Sequence, residues 1–219
     1  MKDKKIFGKK PFVIVAVVAI SFMFGLFISI NKTLNEGPKY NGIIWPNPPK
    51  VSKFTLFDFN KKKISETFLE GTWNLIFFGF THCPDICPTT LTTLKIAEKM
   101  LLKQNLFNKS NIIFVSVDTQ RDNALLVKQY LSNFSKSFIG LTGEEIELKK
   151  FSDSLGAVFY QSQTDDKNIL IDHSSSLFIL SPKNELLGVL TQPFSSKDVV
   201  EKYVKVTEFY YNNLEQIQK

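Results

Sequence analysis

Cys83 and Cys87 are the chain's two cysteines, in the stretch Phe80-Thr-His-Cys83-Pro-Asp-Ile-Cys87-Pro88, and its two histidines are His82 and His173. A cysteine pair that follows an apolar run and opens a helix sits where backbone N–H groups and the helix dipole favour thiolate over thiol. If residues 83–87 have helix-like geometry, the i, i+4 spacing brings both sulfurs to one face. A structural disulfide is the plainer alternative, but a bridge closing so short a loop removes little unfolded-state entropy. His82 adjoins Cys83, which constrains its direction, and it reads as a neighbour of a site rather than a ligand. His173 lies in Leu170-Ile-Asp-His173-Ser-Ser-Ser-Leu-Phe-Ile-Leu180. Taken alone it is a loop histidine with an ordinary hydrogen bond. Its place before a strand allows a second reading, because loops at sheet edges meet helix starts where α/β ligand sites gather. Two thiolates and an imidazole form a soft set that suits Cu(I), and imidazole also accepts Cu(II). Zinc takes the same donor types, but structural zinc uses four protein ligands and no fourth is obvious.

These residues need elements to position them. Asn74–Phe80 (NLIFFGF) is a nearly continuous apolar run of strand length, the pattern of a strand buried on both faces. Cys87–Gln104 reads as a helix with Pro88 tolerated in its first turn. Ile112–Val117 is a second buried strand, Arg121–Ser132 a helix, and Glu144–Leu155 another helix closed by Gly156. A short hairpin is expected around the Lys61-Lys62-Lys63 turn. A second should join Ser176–Leu180 to Leu186–Leu190, and Ser195 should cap a final helix running to about residue 214. Strands alternating with helices imply an α/β domain with a central, largely buried sheet.

The remaining organisation concerns topology. Residues 11–30, PFVIVAVVAISFMFGLFISI, carry no charge and as a helix would span a bilayer's hydrocarbon core. Five lysines against Asp3 place +4 of the formal +6 charge in the first ten residues, which argues against nucleic-acid binding by the rest. The positive-inside tendency puts residues 1–10 in the cytoplasm and the domain outside it. The apolar core is longer than that of a cleaved signal peptide, so an uncleaved anchor is expected. The expected layout is a basic tail (1–10), a transmembrane anchor (11–30), a Pro-containing linker (31–50) and one domain (51–215).

The chain closely resembles the Sco/SenC family of copper proteins in three segments: Gly71–Leu91 with its Cys-x-x-x-Cys-Pro core, Val115-Ser-Val-Asp118 with Arg121-Asp122, and Asp172-His173-Ser174. The resemblance implies a thioredoxin-like fold, with a central sheet flanked by helices, and one copper ion held by Cys83, Cys87 and His173. It implies a membrane-anchored copper chaperone that assists assembly of the copper A centre of cytochrome c oxidase. Its partners would be oxidase subunit II and an upstream copper donor, with the domain in the periplasm, or in the mitochondrial intermembrane space of a eukaryote. Asp118 matches an aspartate near the family's site, although capping a turn explains it equally well. The Asn60-Lys61-Lys62-Lys63 turn lacks the glycine often seen there. The alternative function is a thiol-disulfide oxidoreductase in which Cys83 and Cys87 cycle between dithiol and disulfide. A peroxidase would need an activating arginine, for which this chain offers only Arg121.

Overall fold

The computed structural model of the chain describes residues 17–27, 48–163 and 169–217. The chain falls into two units, Met1–Asn41 and Gly42–Lys219. In the first, residues 17–27 form helix α1, whose side chains are all exposed. Among the described residues no helix is long and apolar enough to cross a membrane. The predicted tail (1–10), most of the linker and the ends of the 11–30 anchor lie outside the described residues.

The second unit is the expected α/β domain. Its first elements are β1 (Leu56–Phe57), β2 (Lys63–Ile64) and α2 (Glu66–Leu69), followed by β3 (Trp73–Gly79), α3 (Ile86–Lys103) and β4 (Ser110–Ser116). Next come α4 (Ala124–Ser132), β5 (Ile139–Leu141), α5 (Glu145–Ser154), β6 (Phe159–Gln163) and β7 (Ile169–His173). β8 (Leu177–Leu180), β9 (Leu186–Leu190) and α6 (Ser196–Ile217) complete it. The central sheet has the order β5-β4-β3-β8-β9. β3, β4 and β5 run parallel, whereas β8 is antiparallel to both β3 and β9. All seven residues of β3 are buried, as its unbroken apolar run requires of a strand covered on both faces.

Alternate β3 residues serve opposite layers. Trp73, Leu75 and Phe77 join Leu91, Leu94 and Leu101 of α3 and Val199 and Tyr203 of α6. Ile76 and Phe78 join Leu148 and Phe151 of α5, with Leu56 and Ile64 of the first hairpin. Both cysteines belong to the α3–α6 layer.

Local chemistry explains the element ends. The β1–β2 turn closes without glycine because Lys61 takes a left-handed φ of 59° and the Asp58 carboxylate accepts the N–H groups of Asn60 and Lys62. α5 ends in a Schellman pattern: Gly156 (φ 69°) donates to Asp153 and Ala157 donates to Ser152. Ser195 and Asp198 form a reciprocal cap at the start of α6. α4 begins at Ala124, three residues later than the helix expected from Arg121. Asn123 caps it by accepting the Leu126 N–H at 3.0 Å, and residues 118–122 are held in a turn by Asp118. β5 and the β6–β7 hairpin were not anticipated from the pattern of apolar residues.

Candidate metal centre

β3 ends at Gly79, and the chain turns through Phe80–Asp85 before α3 begins. The helix-like geometry expected across residues 83–87 is not what unites the cysteines, because α3 starts only at Ile86. Cys83 sits in the preceding turn, its N–H donating to the Phe80 carbonyl at 3.3 Å, while Cys87 lies in the first turn of α3. The missing Cβ of Gly79 leaves the volume in which the Cys87 sulfur sits: a Cβ there would fall 2.8 Å from that sulfur and 2.7 Å from Phe114 Cε2. Both cysteines are buried and neither is in a disulfide.

His173 is the last residue of β7, paired with Phe159 across the hairpin, rather than a loop residue. This strand end delivers its Nε2 to 3.6 Å from the Cys87 sulfur. Its Nδ1 lies 3.1 Å from the Ser174 carbonyl, an acceptor only, so the proton sits on Nδ1 and Nε2 keeps its lone pair outward. Phe80 and Phe77 meet the imidazole edge-on, at 5.7 and 6.1 Å between ring centres, and fix its plane. Burial lowers the His173 pKa below its ordinary value, which keeps the ring neutral. The two sulfurs and an imidazole nitrogen thus lie within 4.8 Å of one another, a group able to hold a metal ion. Two soft sulfur donors and one neutral nitrogen fit copper.

Electrostatics at Cys87 reverse the expectation from its helix start. Burial raises its thiol pKa strongly, with smaller contributions from Cys83 and Asp122, and outweighs the lowering by a backbone hydrogen bond from Phe80. Without a metal, Cys87 is a thiol at neutral pH, and a bound cation must displace its proton.

The other expected site residues cluster beside this group. His82 is exposed, with Nδ1 3.1 Å from Thr81 Oγ1 and 3.6 Å from Asp122 Oδ1. Asp118 is buried; its Oδ1 accepts the Arg121 N–H at 3.1 Å and its Oδ2 pairs with the Arg121 guanidinium. It therefore caps a turn, and it groups with His82 and Asp122, their ligand atoms within 4.8 Å of one another. The guanidinium also rests 5.7 Å from the centre of the Phe80 ring, so Arg121 contacts the site's wall through Phe80. Asp122, whose role was not anticipated, accepts the Thr81 N–H at 2.8 Å and the hydroxyls of Thr81 and Ser116. It ties the cysteine turn to the end of β4. Gly79, Phe77 and Phe80 also pack against this group, which the spacing of polar groups did not disclose. The apolar run NLIFFGF held the only signal, a glycine and a phenylalanine immediately before the cysteine turn.

The family model SCO1/SenC matches residues 46–208. A SCO2-like protein of Rickettsia felis is 33% identical over 201 residues, covering 86% of this chain and 95% of the relative. The mitochondrial SCO1 homolog 1 of Arabidopsis thaliana is 36% identical over 157 residues, 70% of this chain and 45% of that protein. Among solved structures, Arabidopsis thaliana ScoI with copper bound superposes with a TM-score of 0.67 at 31% identity, over 73% of this chain and 98% of that one. Yeast Sco1 with copper bound gives 0.67 at 29% identity, over 74% and 90%. A thioredoxin-like α/β domain with this cysteine–histidine group, matched along most of its length, belongs to the SCO1/SenC family.

Proposed function

We propose that the protein is a membrane-anchored copper chaperone that binds one copper ion, as Cu(I) or Cu(II), through Cys83, Cys87 and His173. It takes copper from an upstream donor protein and assists assembly of the copper A centre on cytochrome c oxidase subunit II. The observation that carries this reading is the convergence of two free thiols and an unprotonated imidazole nitrogen within 4.8 Å. Copper-bound relatives of the same family support the choice of metal. Each ligand comes from a different local element: the turn after β3, the start of α3 and the end of β7. A site assembled from three segments can release its cargo by ligand exchange, one donor at a time, to a partner's thiols.

The uncharged stretch 11–30 behind a lysine-rich tail supports an N-terminal anchor with the domain in the periplasm, or the intermembrane space of a mitochondrion. Alkaline carbonate should leave the expressed chain in the membrane pellet; release into the supernatant would refute the anchor. Anaerobic copper titration of the full-length chain in detergent tests the site. One copper per wild-type chain, with weakened binding in Cys83→Ala, Cys87→Ala and His173→Ala variants, is the expected result. Unchanged binding in the His173 variant would remove that residue from the ligand set.

One feature favours a second reading, thiol-disulfide oxidoreductase activity: Cys83 and Cys87 are both free, and their sulfurs lie within 4.8 Å of each other. Their oxidation to a disulfide would pass two electrons and two protons to a partner's disulfide. Partner reduction that persists at full rate in His173→Ala would favour this role over copper delivery.

A further inference from the structure

The loop from β4 to α4 grips the cysteine turn at consecutive residues. The Val117 N–H donates to the Gly79 carbonyl at 2.9 Å, and the Asp122 carboxylate accepts the Thr81 N–H at 2.8 Å. Between these two, the Arg121 guanidinium lies 5.7 Å from the centre of the Phe80 ring, inside the range of cation–π attraction. Arg121 is the chain's single arginine; its other basic side chains, histidines aside, are lysines. Charge alone is met by lysine everywhere else, so this position uses what lysine lacks, a flat group that packs on a ring and holds a fixed direction. Asp118, wholly buried, sets that direction: it accepts the Arg121 N–H at 3.1 Å and pairs with the guanidinium.

Phe80 carries the consequence to the metal centre by two routes. Its carbonyl accepts the Cys83 N–H at 3.3 Å. Its ring meets the His173 imidazole edge-on, at 5.7 Å between centres and 89° between planes. Phe77, the other ring against His173, belongs to β3 and is fixed by the sheet. Phe80 lies one residue past the end of that strand, where its ring needs a brace from outside the sheet.

We propose that Arg121 is a positioning residue of the metal centre: aimed by Asp118 and packed against Phe80, it fixes the ring that sets the His173 imidazole opposite Cys87. The same brace steadies the Phe80 carbonyl that holds Cys83, so one side chain keeps the histidine and the cysteine turn in register. Groups that orient ligands in this way govern metal affinity without supplying a donor. The inference rests on the copper reading above.

The test uses the full-length chain in detergent, with its histidine rings carbon-13 labelled for NMR. The chain has two histidines, so the spectrum holds two sets of ring signals, and His173→Gln tells them apart. The variants are Arg121→Lys, which keeps the charge beside Asp118, Phe80→Leu, and the two combined. In the metal-free chain Arg121→Lys should move the His173 ring signals, and adding it to Phe80→Leu should move them no further. Copper affinity, read by competition with a chromophoric Cu(I) chelator, should fall about tenfold in Arg121→Lys. It should fall no further when Arg121→Lys is added to Phe80→Leu, because the effect passes through the ring. A residue that only stabilises the fold would lower the urea midpoint and leave the His173 signals in place. Should Arg121→Lys not fold, Arg121→Gln is read in its stead. His173 signals unmoved by the Arg121 substitution, or a further tenfold loss of affinity in the combined variant, overturns the role of Arg121. A wild-type chain that takes up no copper, while the Arg121 substitution still moves the His173 signals, overturns the copper reading and leaves the positioning of His173 standing.

Discussion

A methyl group at Gly79 would show whether copper binding depends on where the Cys87 sulfur sits. The Gly79→Ala Cβ would lie 2.8 Å from Cys87 Sγ and 2.7 Å from Phe114 Cε2. Non-bonded carbon contacts settle at about 3.5–4.0 Å, so each neighbour must retreat by roughly 1 Å. Neither has room, since Cys87 and Phe114 are both 0% exposed. Overpacking of this kind costs about 1–3 kcal/mol of stability. The same displacement moves the sulfur relative to His173 Nε2, now 3.6 Å away. Metal–ligand distances tolerate about 0.2 Å, so the shift exceeds what the site can absorb. Copper affinity should therefore drop roughly 10–100-fold, as when groups supporting a metal site are removed. Gly143→Ala is the control: its Cβ would lie 2.7 Å from Leu56 Cδ2, in the layer on the other face of the sheet. Urea denaturation should report similar stability losses for both variants, and competition with a chromophoric Cu(I) chelator should separate them. Wild-type copper affinity in Gly79→Ala, or an equal loss in Gly143→Ala, would refute the reasoning.

Asp122→Asn leaves the Thr81 and Ser116 donors competing for one amide oxygen. We expect about 1–3 kcal/mol of destabilisation in the same denaturation assay, and none would mean the turn is held otherwise. Because burial keeps Cys87 protonated, the metal-free chain should alkylate slowly at Cys87 at neutral pH, with the rate rising into the alkaline range. Rapid labelling at neutral pH, read by peptide mass spectrometry, would contradict the placement of the sulfur. The His173 pKa is lowered from 6.5, so the unfolded chain binds the proton first as pH falls. Stability should then be full above about pH 6.5 and decline as pH falls below it towards the folded value. Part of that decline should vanish in His173→Gln, as measured by urea midpoints across pH.

Much of this site was legible in the order of residues, and what was not has physical causes. NLIFFGF announces a doubly covered strand because every one of its side chains must be hidden, and Cys83 and Cys87 follow where that strand must turn into α3. His173 read as a loop residue because its hairpin partner, Phe159–Gln163, is a mostly polar strand with no clear alternation to mark it. The charge state of Cys87 was misjudged for a different reason. A helix start favours thiolate, but burial under Gly79 and beside Phe114 arises from tertiary packing and is the larger effect. Asp122 lies 41 residues from the Thr81 it holds, and only the parallel pairing of β3 with β4 brings the two together. The resemblance of Asp172-His173-Ser174 to the family, rather than spacing, selected His173, and the fold then supplied the geometry.

X-ray absorption at the copper edge of the Cu(I)-loaded full-length chain tests the central claim most directly. The account predicts a first shell of two sulfur donors and one imidazole nitrogen, with the nitrogen lost in His173→Ala and one sulfur lost in either cysteine variant. A wild-type shell with any other sulfur count, or one unchanged in His173→Ala, would contradict it.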